Sequence, residues 1–198
     1  MVMMAVMAAN ADRPDSDIGG KTAAVLERIG AVRRQVVQAS ATRAGLSVLQ
    51  AEIVRLLASG AVRPRGTDLA VELAVSLPTV SDAVSALRRK GLVTHRPGAD
   101  ARSKELRLTA VGRALAASLD DALAGFRRAA GAAGDQGLTA ALAVIEGLWR
   151  EGMISVDRSC VTCAHHVAGE TPAGRCALLG RELTPATLRV DCPEHAAA

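Results

Sequence analysis

Residues 67–115 read TDLAVELAVSLPTVSDAVSALRRKGLVTHRPGADARSKELRLTAVGRAL, and this stretch decides the fold. Thr67 is the expected cap of a short helix over residues 68–74. Residues 76–90 place Val80, Val84 and Leu87 on one helical stripe, with Gly91 as a stop. Two β-like runs follow, residues 92–96 and 105–108, separated by the turn-rich segment of residues 97–103. Thr109 then opens a long helix, with Val111, Leu115 and Leu119 on one face. A short helix, a tight turn, a second helix and a hairpin make up a winged helix-turn-helix, a plan in which the second helix fits the DNA major groove.

Working outward, the helical period of about 3.6 residues assigns a face to each side chain. Burying Val80, Val84 and Leu87 turns Pro78, Asp82, Ser85, Ala86 and Arg89 outward. Ser76, Thr79 and Ser81 stand at the helix start, where hydroxyls and free backbone N–H groups can hold a phosphate. Arg96, Arg102 and Lys104 surround the wing and supply positive charge for phosphate or minor-groove contact. Asp100 and Arg102 also allow a local ion pair at the wing tip. The candidate DNA contacts are therefore Ser76, Pro78, Thr79, Ser81, Asp82, Ser85, Arg89, Arg96, Arg102 and Lys104.

The stretch resembles the MarR family of winged-helix regulators over residues 46–115. The resemblance is carried by the T-V-S start of the second helix, its L-x-x-K-G-L-V exit, and the D-x-R-S wing before L-x-L-T-x-x-G. It implies a homodimer with intertwined first and last helices, bound to a pseudo-palindromic DNA operator. Asp82 departs from the family pattern, which often has a base or neutral polar group there. A carboxylate at that point is repelled by phosphate but can accept from a cytosine amino group.

The flanks fit this plan. Residues 1–19 show no sustained period and are expected to form a tail. Residues 20–45 carry Val25, Ile29, Val32 and Val36 at helical spacing and suit a dimerisation helix. Ser47 is placed to cap the next helix, which Gly60 ends. Residues 109–154 are read as C-terminal dimerisation helices, with a Gly/Ala-rich interruption at residues 131–137 and a final helix over 139–153. That last helix carries Leu142, Ile145 and Trp149 in register.

Composition narrows the function class. Apolar residues make up 49% of the 198, but Phe126 and Trp149 are the only aromatics, so the core must be aliphatic. The formal net charge of +4 is compatible with nucleic acid. No apolar run is long enough for a membrane span, and no Gly-rich phosphate loop or nucleophile with a partnered base is evident. Asp120 and Asp121 are expected on a solvated helix surface. A non-enzymatic cytoplasmic protein without membrane attachment is the expectation.

All four cysteines lie in the last 39 residues, as Cys160, Cys163, Cys176 and Cys192 with spacing C-x2-C-x12-C-x15-C. In a reducing compartment such a cluster points to metal rather than disulfides. Structural zinc sites usually pair two short Cys knuckles, and only the first pair here is close, which favours an iron–sulfur centre with zinc as the alternative. The tail CVTCAHHVAGETPAGRCALLGRELTPATLRVDC is similar to the cluster-binding part of high-potential iron–sulfur proteins, although their aromatics are missing. That resemblance implies a [4Fe–4S] cluster held by Cys160, Cys163, Cys176 and Cys192. His165, His166 and His195 are candidates to replace a thiolate or to stand behind the ligands. Arg175, Arg181 and Arg189 are expected to be solvated or paired with Glu182, Glu194 and Asp191.

The expected fold is mainly α with some β: a MarR-like winged helix-turn-helix, a helical dimerisation region, and a small irregular four-cysteine metal-cluster lobe over residues 155–198. The expected function is transcriptional regulation in which the cluster modulates operator binding through the adjacent Trp149 helix. Two alternatives stand beside it. One is a small-ligand-responsive regulator with a structural zinc lobe, and the other a redox or electron-transfer protein that docks through its winged helix.

Overall fold

The structure, a computed structural model, describes residues 17–97, 104–154, 156–171 and 173–198. The chain forms two compact units, Met1–Val36 and Val37–Ala198. In the first, the described residues are the leading part of helix α1 (Ile18–Arg43). Ile18, Val25, Leu26, Ile29 and Val32 are exposed there, an apolar stripe open to solvent in the single chain.

The second unit begins with the end of α1, where Val37 and Ala41 are buried. Gly45, at a positive φ of 64°, breaks the helix as expected. Ser47 then caps α2 (Val48–Ser59) in a full capping box with Gln50. Gly60 ends α2 in the left-handed conformation. Helices α3 (Gly66–Glu72) and α4 (Leu77–Arg89) follow.

Two sequence expectations shift at α3. The helix begins at Gly66 with Arg65 in the cap position, so Thr67 is helical rather than the cap. It ends at Glu72, because Ala74 takes a positive φ of 50°. The Val75 and Ala74 N–H groups donate to the Ala70 and Val71 carbonyls, which closes the helix end through a strained non-glycine residue.

Strands β1 (Val93–Pro97) and β2 (Lys104–Leu108) form the antiparallel wing, with Val93 opposite Leu108 and His95 opposite Leu106. Leu106 N–H also donates to Pro64 O at 2.7 Å, tying the wing to the segment before α3. Arg102, Asp100 and the rest of the wing tip lie outside the described residues. Helix α5 (Ala110–Asp121) is capped by Thr109, whose Oγ1 accepts from Gly112 N at 3.0 Å and donates to Gly91 O at 2.7 Å. A Cβ on Gly112 would collide with the Leu92 carbonyl, which explains the glycine of L-x-L-T-x-x-G. The aliphatic core joins α2, α3, α4, the wing and α5 through Ile53, Val54, Leu69, Val80, Leu87, Leu106 and Leu119.

The helical region after the wing differs from the sequence reading in its breaks. The expected long helix stops at Asp121, and a separate helix α6 (Ala124–Gly131) follows. Arg127 braces that break through Asp120 Oδ1 at 2.5 Å and Asp120 O at 2.9 Å, so Asp120 is paired rather than simply solvated. Helix α7 (Gly134–Arg150) starts five residues before the expected Thr139, at Gly134 with φ 59°; Thr139 lies inside the helix and its Oγ1 donates to Asp135 O at 2.9 Å.

The C-terminal lobe holds a 3-10 turn (Cys160–Thr162) and two-residue strands β3 (His166–Val167), β4 (Arg175–Cys176) and β5 (Arg181–Glu182) in order β3-β4-β5. Leu183, 2% exposed, is its one large buried apolar side chain among the described residues. Among those residues no single helix is long and apolar enough to cross a membrane.

Candidate functional site

The outer face of α4 is open. Ser76, Pro78, Thr79, Ser81, Asp82, Ser85 and Arg89 are all exposed, while Val80, Ala83, Val84 and Leu87 are buried on the other side. Ala86, expected outward, is half-buried at the edge of that face. Ser76 Oγ accepts from Thr79 N at 3.3 Å and bonds Thr79 Oγ1 at 2.7 Å, so both hydroxyls already serve the helix cap. Pro78 lies in the first helical turn, where a missing N–H costs nothing.

At the other end of α4, Ser85, Arg88, Arg89, Val93 and Thr94 line a groove between the helix and the wing. Arg88 was not singled out from sequence, because its place beside the groove depends on how β1 returns past α4. Arg96 is exposed on β1, and Lys104 begins β2 opposite Pro97. The Lys90 ammonium instead bonds Gly45 O at 2.5 Å and Gln50 Oε1 at 3.1 Å, which explains the lysine of the L-x-x-K-G-L-V exit as a brace.

In the lobe, Cys160, Cys163, Cys176 and Cys192 are free thiols, and all four line one pocket. They arrive on three pieces of backbone. Cys160 opens the 3-10 turn, Cys163 follows it, Cys176 sits in β4, and Cys192 lies on the segment that returns beside Arg158. Asp157 organises the first pair: its carboxylate accepts from Ser159 N, Ser159 Oγ and Thr162 Oγ1, each at 2.9 Å. Ser159 and Thr162 are buried, so this network holds the backbone beneath Cys160 and Cys163.

Burial pushes the Cys160 thiol up from its ordinary range. The Arg189 N–H, 3.3 Å from its sulfur, acts in the opposite direction, and Cys192, Cys176 and Cys163 raise it again as neighbouring negative charges. Ionised together, four such sulfurs would repel one another, and a cation between them would relieve that repulsion. The donor set consists of soft sulfur, which suits thiophilic metals, and backbone N–H donation to a ligand sulfur is a normal way to stabilise it. Among the described residues no three His, Cys, Asp or Glu side chains are grouped tightly enough for one shared ion.

His165 and His166 also line the pocket, with Leu178, Leu179, Leu183 and Glu194. His166 Nε2 is 2.9 Å from Ala173 O, and His195 Nε2 is 3.2 Å from Thr162 Oγ1. Each of these rings thus has its Nε2 engaged by the protein. Arg175 pairs with Glu182 at 3.8 Å and Arg189 with Glu194 at 3.2 Å, in line with the charge pairing expected from sequence.

The residue that sequence reasoning missed is Arg158. Its Nη1 donates to Ala61 O at 3.0 Å, and its Nη2 is paired with the Glu72 carboxylate at the end of α3. Its own carbonyl accepts from Cys192 N at 3.0 Å. A cleft of about 650 Å³ opens around this contact, lined among others by Arg63, Asp68, Val71, Val156 and Pro193. The lobe therefore contacts the winged helix directly, whereas the sequence placed it only next to the Trp149 helix.

The architecture is that of a MarR-like winged helix. A transcriptional regulator of the MarR family from Silicibacter pomeroyi is 27% identical, with a TM-score of 0.55 over 69% of this chain and 94% of that one. A point mutant of MepR from a multidrug-resistant S. aureus clinical isolate is 16% identical, with a TM-score of 0.52 over 67% and 96%. NadR in complex with 4-hydroxyphenylacetate is 21% identical, with a TM-score of 0.50 over 70% and 95%. No family model matches the sequence, and no curated protein is similar to it.

Proposed function

We propose that this protein is a DNA-binding transcriptional regulator whose α4 enters the major groove and whose cysteine lobe carries a metal centre that modulates DNA binding. The observation that carries the first half is the open face of α4 beside the basic groove at Arg88 and Arg89, on a winged-helix frame. The exposed stripe from Ile18 to Val32 supports pairing with a second copy, which would set two recognition helices about 34 Å apart on a pseudo-palindromic site.

The second half rests on four free cysteines from three segments around one pocket. The uneven spacing, with only the first pair close and Cys176 and Cys192 arriving singly, favours a [4Fe–4S] centre held by Cys160, Cys163, Cys176 and Cys192 over a single zinc ion. When bound, such a centre cross-links these segments and makes their order sensitive to oxidants or iron supply. The chain's own part is to hold the four sulfurs: Asp157 sets the first pair, Arg189 N–H donates to Cys160, and Leu183 fills the space beneath.

Anaerobic purification of the full-length protein with iron, sulfide and zinc analysis tests the centre. About four irons and four sulfides per chain are expected for this cluster type; one zinc and no sulfide would replace it with the structural zinc lobe. Retention of double-stranded DNA at low salt tests the other half, and its absence would leave the winged helix as a protein-docking surface.

A further inference from the structure

Arg158 stands where two networks meet. On one side its guanidinium reaches Ala61 O and the Glu72 carboxylate, gripping both ends of the segment that begins after α2 and runs through α3. On the other, its backbone belongs to the cysteine site. Its carbonyl accepts from Cys192 N, it bridges to Asp191, and Cys160 lies two residues on, with its N–H bonded to Arg189 O. Helix α3 in turn packs on α4 through Leu69 and Ala70, and only a short turn with the strained Ala74 separates them.

The lobe has almost no core of its own. Leu183 is its only large buried apolar side chain among the described residues, and its strands are two residues each. Such a unit gains its order from what its cysteines hold. The segments that would loosen first on metal loss, around Cys160 and Cys192, are the two that position Arg158.

We propose that Arg158 is the positioning residue that transmits occupancy of the cysteine centre to the DNA-binding helices, by holding α3 through Glu72 and Ala61. This rests on the reading of the cysteine lobe as a metal centre and names the route by which that centre acts. A filled centre fixes the backbone at Arg158 and Cys192, the guanidinium holds α3, and α3 holds the angle at which α4 meets DNA. An emptied centre releases Arg158, and α3 loses its outer support.

Hydrogen–deuterium exchange of the full-length protein, metal-loaded and metal-stripped, tests this directly. Stripping is expected to speed exchange of the α3 amides from Leu69 to Leu73 by about tenfold in the wild type. In Arg158→Met those amides exchange fast whether or not metal is bound, while metal content and the visible spectrum stay as in the wild type. Glu72→Gln changes only the far end of the contact and is expected to uncouple α3 in the same way, and Arg158→Lys to restore part of the protection. Unchanged α3 exchange in the wild type, with the lobe itself loosening on metal removal, would overturn the coupling and leave the metal centre standing. A protein that binds neither iron nor zinc would overturn both.

Discussion

Arg158 and Glu72 are joined by a salt bridge across 86 residues of chain, with their side chains only 22% and 21% exposed. The pair fastens the cysteine lobe to the first helix of the helix-turn-helix. Removing one partner leaves the other charge partly desolvated, whereas removing both does not. Arg158→Met and Glu72→Gln should each lower unfolding free energy by about 1–2 kcal/mol, a range reduced for partial exposure. The double variant should cost clearly less than the sum. Additive losses in urea titrations would mean the contact contributes little.

Metal retention should follow the cysteines and not the histidines. Cys176→Ser removes one of the four thiols around the pocket and should abolish sulfide-containing metal, leaving at most trace iron. His166→Ala should retain the metal, because the four cysteine thiols around the pocket already make a four-ligand set. Loss of metal in the His166 variant with full loading of the Cys176 variant would reverse the ligand assignment.

DNA binding should respond in opposite directions at the middle of α4 and at its C-terminal end. Arg89→Ala is expected to weaken binding to all duplexes alike and to reduce the slope of log affinity against log salt by about 1. Asp82 is an exposed carboxylate on the open face of α4. Asp82→Asn removes its repulsion of phosphate and should tighten binding to a random duplex by roughly threefold. Fluorescence anisotropy across a salt series measures both, and an unchanged slope in Arg89→Ala would remove that residue from the interface.

The exposed stripe of α1 should be an association surface. Ile29 is 45% exposed in the middle of it, with Val25 and Val32 on either side. Ile29→Glu puts a charge in that apolar row, and sedimentation should show a dimer shifted toward monomer at micromolar concentration. An unchanged sedimentation coefficient would place the dimer contact elsewhere.

The elements legible in the sequence were those with local causes. Ser47 caps the helix it was expected to cap, Thr109 opens the one it was expected to open, and Gly45, Gly60 and Gly91 take positive φ where the helices stop. The outward face of α4 was readable for the same reason, since 3.6-residue geometry assigns faces without reference to the rest of the chain. Breaks with no Gly, Pro or capping residue to mark them were not. Ala74 turns left-handed and Asp120 braces a helix break, although neither residue carries a signal for it.

The four cysteines divide along the same line. Their number, spacing and soft chemistry are properties of the chain alone, and they sufficed to mark residues 160–192 as a metal-binding candidate. That all four surround one pocket, and that the pocket's backbone runs through Arg158 onto α3, are tertiary facts. Arg158 in the sequence is one arginine among many, and Glu72 an ordinary acid at the end of a short helix. Only folding brings them together, because an ion pair has no periodicity or composition to announce it. It exists where two distant backbones place opposite charges side by side, away from water.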